Sequence, residues 1–562
     1  MNGDAGGISS ASALSRRAAR FAVLPSKPGP ESAAARSTAA DSASVRSDSG
    51  RRAVRLPAGQ VPEFATVPVI VVAVTTAVFL IARASRYGYF GDELYFLAAG
   101  RRLAVGYVDQ GPLVPLVARL ADVLAPDSLV VLRLPSIVMA AGGILVAAAF
   151  AREFGGRAGA QLLACVAYAA CPFAITQSAT LSTFAFDATL SAAVLWLVVA
   201  WVRRRRDGLV LAAAVVAAVD MQVKLLLPVL LAGIAFGVAL SGPREVARRP
   251  AAWLAASLVV VAATPGLLWQ SAHGWPQLEM GTVIRAEQLA ATGGSIGLPV
   301  QFAMLTGLLG TVLALYGSWG LLHHPALARY RFLIVVVLTQ LGFVLVSGGR
   351  PYYLAALLPV LFAAGAVTTQ DTVAQRWWRG SAVALTAVTV TIAAVVVLAL
   401  PQQVSRLSEP TADHRELSTR LRVYGPTGWP ELIAAVTDAY TRIDPAERGR
   451  TAIITQTYWQ AAAIDRLGGT GRPPVYSPNR GFGYFAAPPD TATTILYVTV
   501  GDAEPALRPL FSRLRALTRA DDPLGFPGIS RGVTVWRCDD PTRPWSETWP
   551  HLRTFTLDSG LI

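Results

Sequence analysis

RYGYFGDELYFLAAGRRLAVGYVDQGPLVPLVARLADVL, residues 86–124, follows the first long apolar run of the chain and is itself too polar to cross a bilayer. It sets Asp92, Glu93 and Asp109 near membrane depth, where a carboxylate is costly unless it is paired, hydrated or used. Within PLVPLVARLADVL, the residues Leu113, Leu116, Val117, Leu120, Val123 and Leu124 recur at helical spacing, while Arg119 and Asp122 fall off that face. The pattern predicts a helix lying in the interface plane, opened by Pro112 at its first turn. The stretch therefore reads as an acid-bearing shelf at the edge of a membrane.

Composition agrees. The chain has 562 residues, 53% of them hydrophobic and 15% charged, with a mean hydropathy of +0.46. A soluble chain carries about a quarter charged residues, so this one is read as an integral membrane protein. The net charge of +14 comes from short basic blocks between apolar runs, which argues for membrane topology and against a nucleic-acid-binding face. Of the 49 basic residues only Lys27 and Lys224 are lysine. Cys165, Cys171 and Cys538 make neither a disulfide framework nor a metal-ligand spacing.

Residues 1–64 are rich in Ala, Ser, Arg, Pro and Gly and are expected to form a disordered cytoplasmic tail. A cleaved signal peptide is not expected, and the run at 65–82 is read as an uncleaved anchor. Ten more runs of about spanning length lie near 129–150, 158–177, 183–202, 208–222, 225–240, 251–269, 299–321, 332–347, 352–370 and 380–400. With a cytoplasmic tail, thirteen arginines in five successive loops fall on the tail's side: 152 and 157; 203–206; 244, 248 and 249; 329 and 331; 376 and 379. The positive-inside rule then puts the 86–128 shelf, the 270–298 loop and everything after 401 outside.

From 402 the composition becomes that of a soluble domain. TAIITQ (451–456), TTILYVTV (493–500) and GVTVWRC (532–538) read as buried strands, and WPELIAAVTDAY (429–440) and EPALRPLFSRLRAL (504–517) as helices. Their alternation predicts a small extracytoplasmic α/β domain over 401–562. The fold class expected is thus mainly α: a polytopic membrane domain of about eleven helices over 65–400, with interfacial helices in the first outer loop, followed by that domain.

Several residues carry a functional and a plain reading. Asp92 and Glu93 suit a solvated helix start, where acids complement the dipole, but beside Asp109 and the interfacial helices a general base with an acidic neighbour is preferred. Asp109 either caps the following helix or supports that pair. Asp187, near the start of its apolar run, could pair with Arg133 or face a substrate. Lys224 and Arg350 stand at outer boundaries against the charge bias; they either snorkel or bind a phosphate leaving group. Tyr352 and Tyr353 follow Arg350 as an interfacial aromatic pair. LLWQSAHGWPQLEM (268–280) brings Trp269, Gln270, His273 and Trp275 together, as anchors or as a sugar-facing loop, and His273 alone is a weak metal candidate. No motif calls for a metal or cofactor.

GDELYFLAAGRRLAVGYVDQGPLVPL, LLWQSAHGWP, the Lys224 boundary and GGRPYYLAALLPVLFAAGA (348–366) together resemble glycosyltransferase family 39, the dolichyl-phosphate-mannose-protein mannosyltransferase-like group. Lipid A aminoarabinose transferases and other bacterial GT-C enzymes are its wider relatives. The resemblance covers roughly 65–400 and implies a polyprenyl-phosphate-linked sugar as donor, with transfer on the outer face of the plasma membrane. By it, Asp92 looks like the catalytic base, Glu93 its neighbour and Asp187 the second acidic position. Lys224 and Arg350 would face donor phosphate. From the residue readings above, Asp109, Arg133, Tyr352, Tyr353, His273 and Trp275 are the further candidates for substrate binding. Two departures stand out: Thr183 is followed by Phe184 where many relatives have an acid, and Arg350 stands where lysine is frequent. The acceptor would be a lipid, glycan or protein hydroxyl. The competing classes are a multi-helix transporter or lipid flippase, which would place ionisable sites near the midplane within repeats, and a membrane scaffold whose outer domain binds a partner.

Overall fold

The computed structural model describes residues 61–292, 294–373 and 376–556. The expected tail lies outside the described residues, except for its last four.

Twenty α-helices and five strands are found among the described residues. The helices are α1 (Thr66–Arg83), α2 (Gly91–Gly100), α3 (Leu113–Leu124), α4 (Leu129–Glu153), α5 (Ala158–Ala169), α6 (Pro172–Gln177), α7 (Thr183–Arg204), α8 (Asp207–Asp220), α9 (Leu227–Ser241) and α10 (Pro250–Ala272). They continue as α11 (Pro276–Thr292), α12 (Leu298–His323), α13 (Phe332–Ser347), α14 (Leu358–Val373), α15 (Arg376–Ala399), α16 (His414–Val423), α17 (Trp429–Thr441), α18 (Tyr458–Leu467), α19 (Glu504–Leu507) and α20 (Trp545–Leu552). Every apolar run read from the sequence is helical. Among the described residues seven helical stretches are long and apolar enough to span a bilayer, and Ala158–Ala169, Leu227–Ser241 and Phe332–Ser347 are shorter apolar helices. The chain is thus a multi-pass membrane protein. α8, at 14 residues, is about 21 Å long and falls short of the roughly 30 Å hydrocarbon core. α12 and α14 approach backbone to backbone, since a Cβ on Gly317 or Gly365 would meet main-chain atoms of the facing helix.

The five arginine loops gather at one end of the bundle. Arg152 donates to the Pro62 carbonyl (3.0 Å), at the amino-terminal end of α1. Arg203 and Arg204 pair with Glu153, whose carbonyl accepts from Tyr330 (3.1 Å). Arg249 pairs with Asp207 (2.7 Å), and Arg379 lines one groove with Arg157. The acid-bearing shelf sits at the opposite end, beyond Arg83 at the close of α1. In α3 the face carrying Leu116, Leu120, Val123 and Leu124 is exposed, while Val114, Pro115, Ala118 and Ala121 are buried against the protein. That is the arrangement expected of a helix lying along a membrane surface.

The carboxy-terminal sheet has the order β2-β1-β3-β5-β4, with β1 (Thr451–Thr455), β2 (Val475–Tyr476), β3 (Thr494–Val500), β4 (Phe511–Ala520) and β5 (Val533–Pro541). β1 runs parallel to β2 and β3; β5 is antiparallel to β3 and β4. Alternation sorts its core: Ala452, Ile454, Ile495 and Tyr497 face α20, while Ile453, Leu496, Val498 and Val535 join α17 and α18 in one core with Leu94, Tyr95 and Phe96 of α2. The domain is thereby seated directly on the shelf.

The structure departs from the sequence reading in two stretches. EPALRPLFSRLRAL is not a helix: it makes the single turn of α19 and then edge strand β4. Pro509 cannot continue the helix, and pairing with β5 along Phe511–Ala520 overrides the local pattern, leaving Arg513, Arg515 and Arg519 along the open edge. The 270–298 loop, likewise, contains helix α11.

Candidate active site

α2 begins where the chain leaves the membrane, and its first turn is fixed by Glu93. The Glu93 carboxylate accepts from the Phe90 amide (3.0 Å) and the Leu181 amide (2.9 Å), and makes a bidentate pair with Arg133 of α4 (2.8 and 2.7 Å). Arg133 spends its remaining donors on the carbonyls of Ala84, Tyr87 (3.0 Å) and Gly88 (2.7 Å). Both side chains are 0% exposed. All five guanidinium N–H groups are therefore committed to protein acceptors. Of the two readings of Asp187, the pair with Arg133 does not form, because Arg133 belongs to Glu93.

Asp92, one position earlier, is half-buried and points the other way. Its Oδ1 accepts from the Tyr458 hydroxyl (2.7 Å) and the Trp459 Nε1 (2.9 Å), both from α18. Thr457 caps that helix, in reciprocal bonds with Gln460. Gly91 makes room for the contact, because a Cβ there would strike the Trp459 indole.

Asp109 accepts from Tyr95 (3.1 Å) in the loop between α2 and α3. Main-chain bonds from Gly111 to Val223 and from Leu113 to Gln222, both 2.9 Å, lace this loop to the α8–α9 turn and bring Lys224 alongside. Burial raises the Asp109 carboxyl above its ordinary value; Lys224 opposes the shift and Asp92 adds to it. Burial likewise lowers the Lys224 ammonium, against the pull of Asp109, Asp187 and Asp92. The Lys224 Nζ lies 4.0 Å from the centre of the Phe184 ring, which packs on Tyr352 (4.3 Å) and Tyr353 (6.0 Å). Asp187 is buried close to Lys224, and its Oδ1 has no hydrogen-bond partner among the described residues.

Arg350 completes the circuit. It pairs with Glu287 of α11 (3.0 Å), Glu287 pairs with Arg480 (2.5 Å), and the Arg480 guanidinium lies 5.6 Å from the Tyr458 ring centre. Tyr458 in turn meets Tyr95 edge-on at 5.3 Å. Asp92, Tyr458, Arg480, Glu287, Arg350, the Tyr352 pair, Phe184, Lys224, Asp109 and Tyr95 thus ring one region, Lys224 and Asp109 being linked through their charges and the others by direct contact. Three carboxylates (Asp92, Glu287 and Asp109) and three cations (Arg480, Arg350 and Lys224) line it, an arrangement able to hold an anion beside a proton acceptor.

His273 and Trp275 stand apart from this loop. His273 stacks on Trp269 at 4.1 Å with its Nδ1 2.7 Å from the Trp269 carbonyl, and Trp275 is 43% exposed at the start of α11. Among the described residues no group of three or more His, Cys, Asp or Glu could hold a metal. Sequence reasoning passed over Tyr458, Trp459, Glu287 and Arg480. Only the Thr457–Gln460 capping pattern before α18 gave a local cue.

A family model described as dolichyl-phosphate-mannose-protein mannosyltransferase matches residues 109–269. Among solved structures, ArnT from Cupriavidus metallidurans bound to undecaprenyl phosphate aligns with a TM-score of 0.53 at 14% identity, over 83% of this chain and 97% of that one. Its apo state aligns at 0.51 and 14%, over 84% and 98%. A comparison with curated protein sequences gives no match. The fold is the GT-C type, and the resemblance to glycosyltransferase family 39 and its relatives drawn from the sequence is borne out.

Proposed function

We propose that this protein is a membrane glycosyltransferase that moves a sugar from a polyprenyl-phosphate donor to an acceptor hydroxyl. Asp92 is the general base: it takes the hydroxyl proton as the acceptor oxygen attacks the anomeric carbon. The bond from that carbon to the phosphate oxygen breaks, and its electron pair leaves with the lipid phosphate. Displacement in one step inverts the anomeric centre. Lys224 and Arg350 hold the departing phosphate, helped by the neighbouring Arg480, and Asp109 and Asp187 favour the charged form of Lys224 against its burial. Tyr352 and Tyr353 flank the donor, while His273 and Trp275 belong to a rim where an acceptor sugar could stack. Glu93 and Arg133 hold α2 in place, a supporting role in this account. General-base help supplies on the order of 10²–10⁴-fold, so phosphate stabilisation and positioning supply the rest.

In this reading the arginine-rich end is cytoplasmic, residues 65–400 carry the transfer site, and 401–562 form a domain on the outer side of the plasma membrane. The observation that carries it is the gathering of Asp92 with Lys224 and Arg350 at the end away from the arginine loops, in a fold like that of a protein which binds undecaprenyl phosphate. The test is to incubate purified protein with a panel of polyprenyl-phosphate sugars and candidate acceptors. Release of lipid phosphate together with a glycosylated product is expected. Movement of the lipid across vesicles with no cleavage would indicate a transporter or flippase instead.

A further inference from the structure

Two neighbouring side chains of the carboxy-terminal domain reach across 366 and 367 positions of sequence to the same oxygen of Asp92. Among the described residues the other oxygen, Oδ2, receives no hydrogen bond. We infer that Tyr458 and Trp459 are positioning residues for the base: they fix Asp92 by Oδ1 and so reserve Oδ2 for the acceptor hydroxyl. The inference rests on the transferase reading and deepens it, because it makes the carboxy-terminal domain part of the site.

The surroundings support a built arrangement. Docking α18 would need only its apolar residues Ala461, Ala462 and Ile464, which already share a core with α2. Instead the first two residues of the helix aim an O–H and an N–H at one oxygen of a carboxylate. Two glycines leave room for the aromatic groups: a Cβ on Gly91 would strike the Trp459 indole, and one on Gly481 the Tyr95 hydroxyl. Tyr458 is also tied away from Asp92. Its ring lies 5.6 Å below the Arg480 guanidinium, and Arg480 shares Glu287 with Arg350. A single domain thereby touches both the proton acceptor and the cations proposed to receive the phosphate.

The test compares Tyr458→Phe, which removes only a hydroxyl, with Trp459→Phe and with the double variant, all in the full-length protein. Each single variant is expected to lower kcat about tenfold and to leave the donor KM within about twofold. A second readout needs no turnover: labelling of Asp92 by a hydrophobic carbodiimide at one fixed pH, followed by peptide mass spectrometry. The labelling rate should rise in both single variants, because an oxygen that has lost a fixed partner is open to the reagent. Wild-type kcat and labelling rate in both single variants would overturn the proposal, as would a loss confined to donor KM. If Asp92→Asn still transfers sugar while the labelling rate of the aromatic variants moves, the positioning contact stands and the assignment of Asp92 as base falls.

Discussion

Replacing Glu93 by glutamine preserves the side-chain shape and removes one negative charge from a place closed to solvent. Arg133 stays charged, since a guanidinium does not give up its proton in a protein. It would be left facing three main-chain carbonyls, those of Ala84, Tyr87 and Gly88. Breaking one side of a fully buried pair costs roughly 3–5 kcal/mol, a large part of a typical net stability of about 5–15 kcal/mol. The amide oxygen of glutamine can still accept from Leu181 or Arg133, which places the expected loss toward about 3 kcal/mol. Thermal unfolding in detergent should then show a Tm lower by on the order of 5 °C, with Asp92→Asn as a control near the wild-type value. Glu93→Leu combined with Arg133→Met removes both charges and should recover part of that loss, though not the bonds to Leu181 and Phe90 or those to the carbonyls of Ala84, Tyr87 and Gly88. If Glu93→Gln kept the wild-type Tm while abolishing transfer, Glu93 would be acting in the chemistry and the supporting role given to this pair would be wrong.

Lys224→Met and Arg350→Ala should each reduce kcat/KM for the lipid-linked donor by roughly 10–100-fold, the worth of a charge-assisted hydrogen bond, with Arg350→Lys less impaired; unchanged kinetics would remove these cations from the site. Asp109 has its folded pKa raised by burial from an ordinary 3.8, so the stability it contributes is full below that value and is lost as pH rises through the folded one. Asp109→Asn should therefore melt above the wild type at neutral pH, with a difference that shrinks on acidification and vanishes below about pH 3.8; a pH-independent difference would contradict it. Gly91→Ala puts a methyl group against the Trp459 indole, and transfer should fall with little change in donor KM, as displacement of that ring from Asp92 requires. Activity equal to wild type would show that the indole can move without consequence.

The membrane part was legible because its signals are local: apolar runs reach spanning length, and arginines mark one set of loops. Asp92 stood out for the same reason, as an acid directly after an apolar run. Its partners did not, because Tyr458 and Trp459 lie more than three hundred positions away on a ten-residue helix with little periodicity to reveal it. Glu93 and Asp92 look alike in sequence, and only the buried reach of Arg133 separates the fixed carboxylate from the accessible one. Glu287 was hidden in a stretch read as a loop, and its two arginine partners come from different parts of the chain. β4 was missed because FSRLRALTRA carries a helix-like pattern, and its strand form depends on a partner, β5, that follows it in the chain.

The most direct measurement is the single-turnover rate of polyprenyl-phosphate release from a lipid-linked sugar by purified wild type and by Asp92→Asn at equal, saturating donor. With Asp92 as the proton acceptor, the variant should bind the donor as tightly as wild type and release lipid phosphate at least about 10²-fold more slowly. A variant that releases it at the wild-type rate would contradict the account.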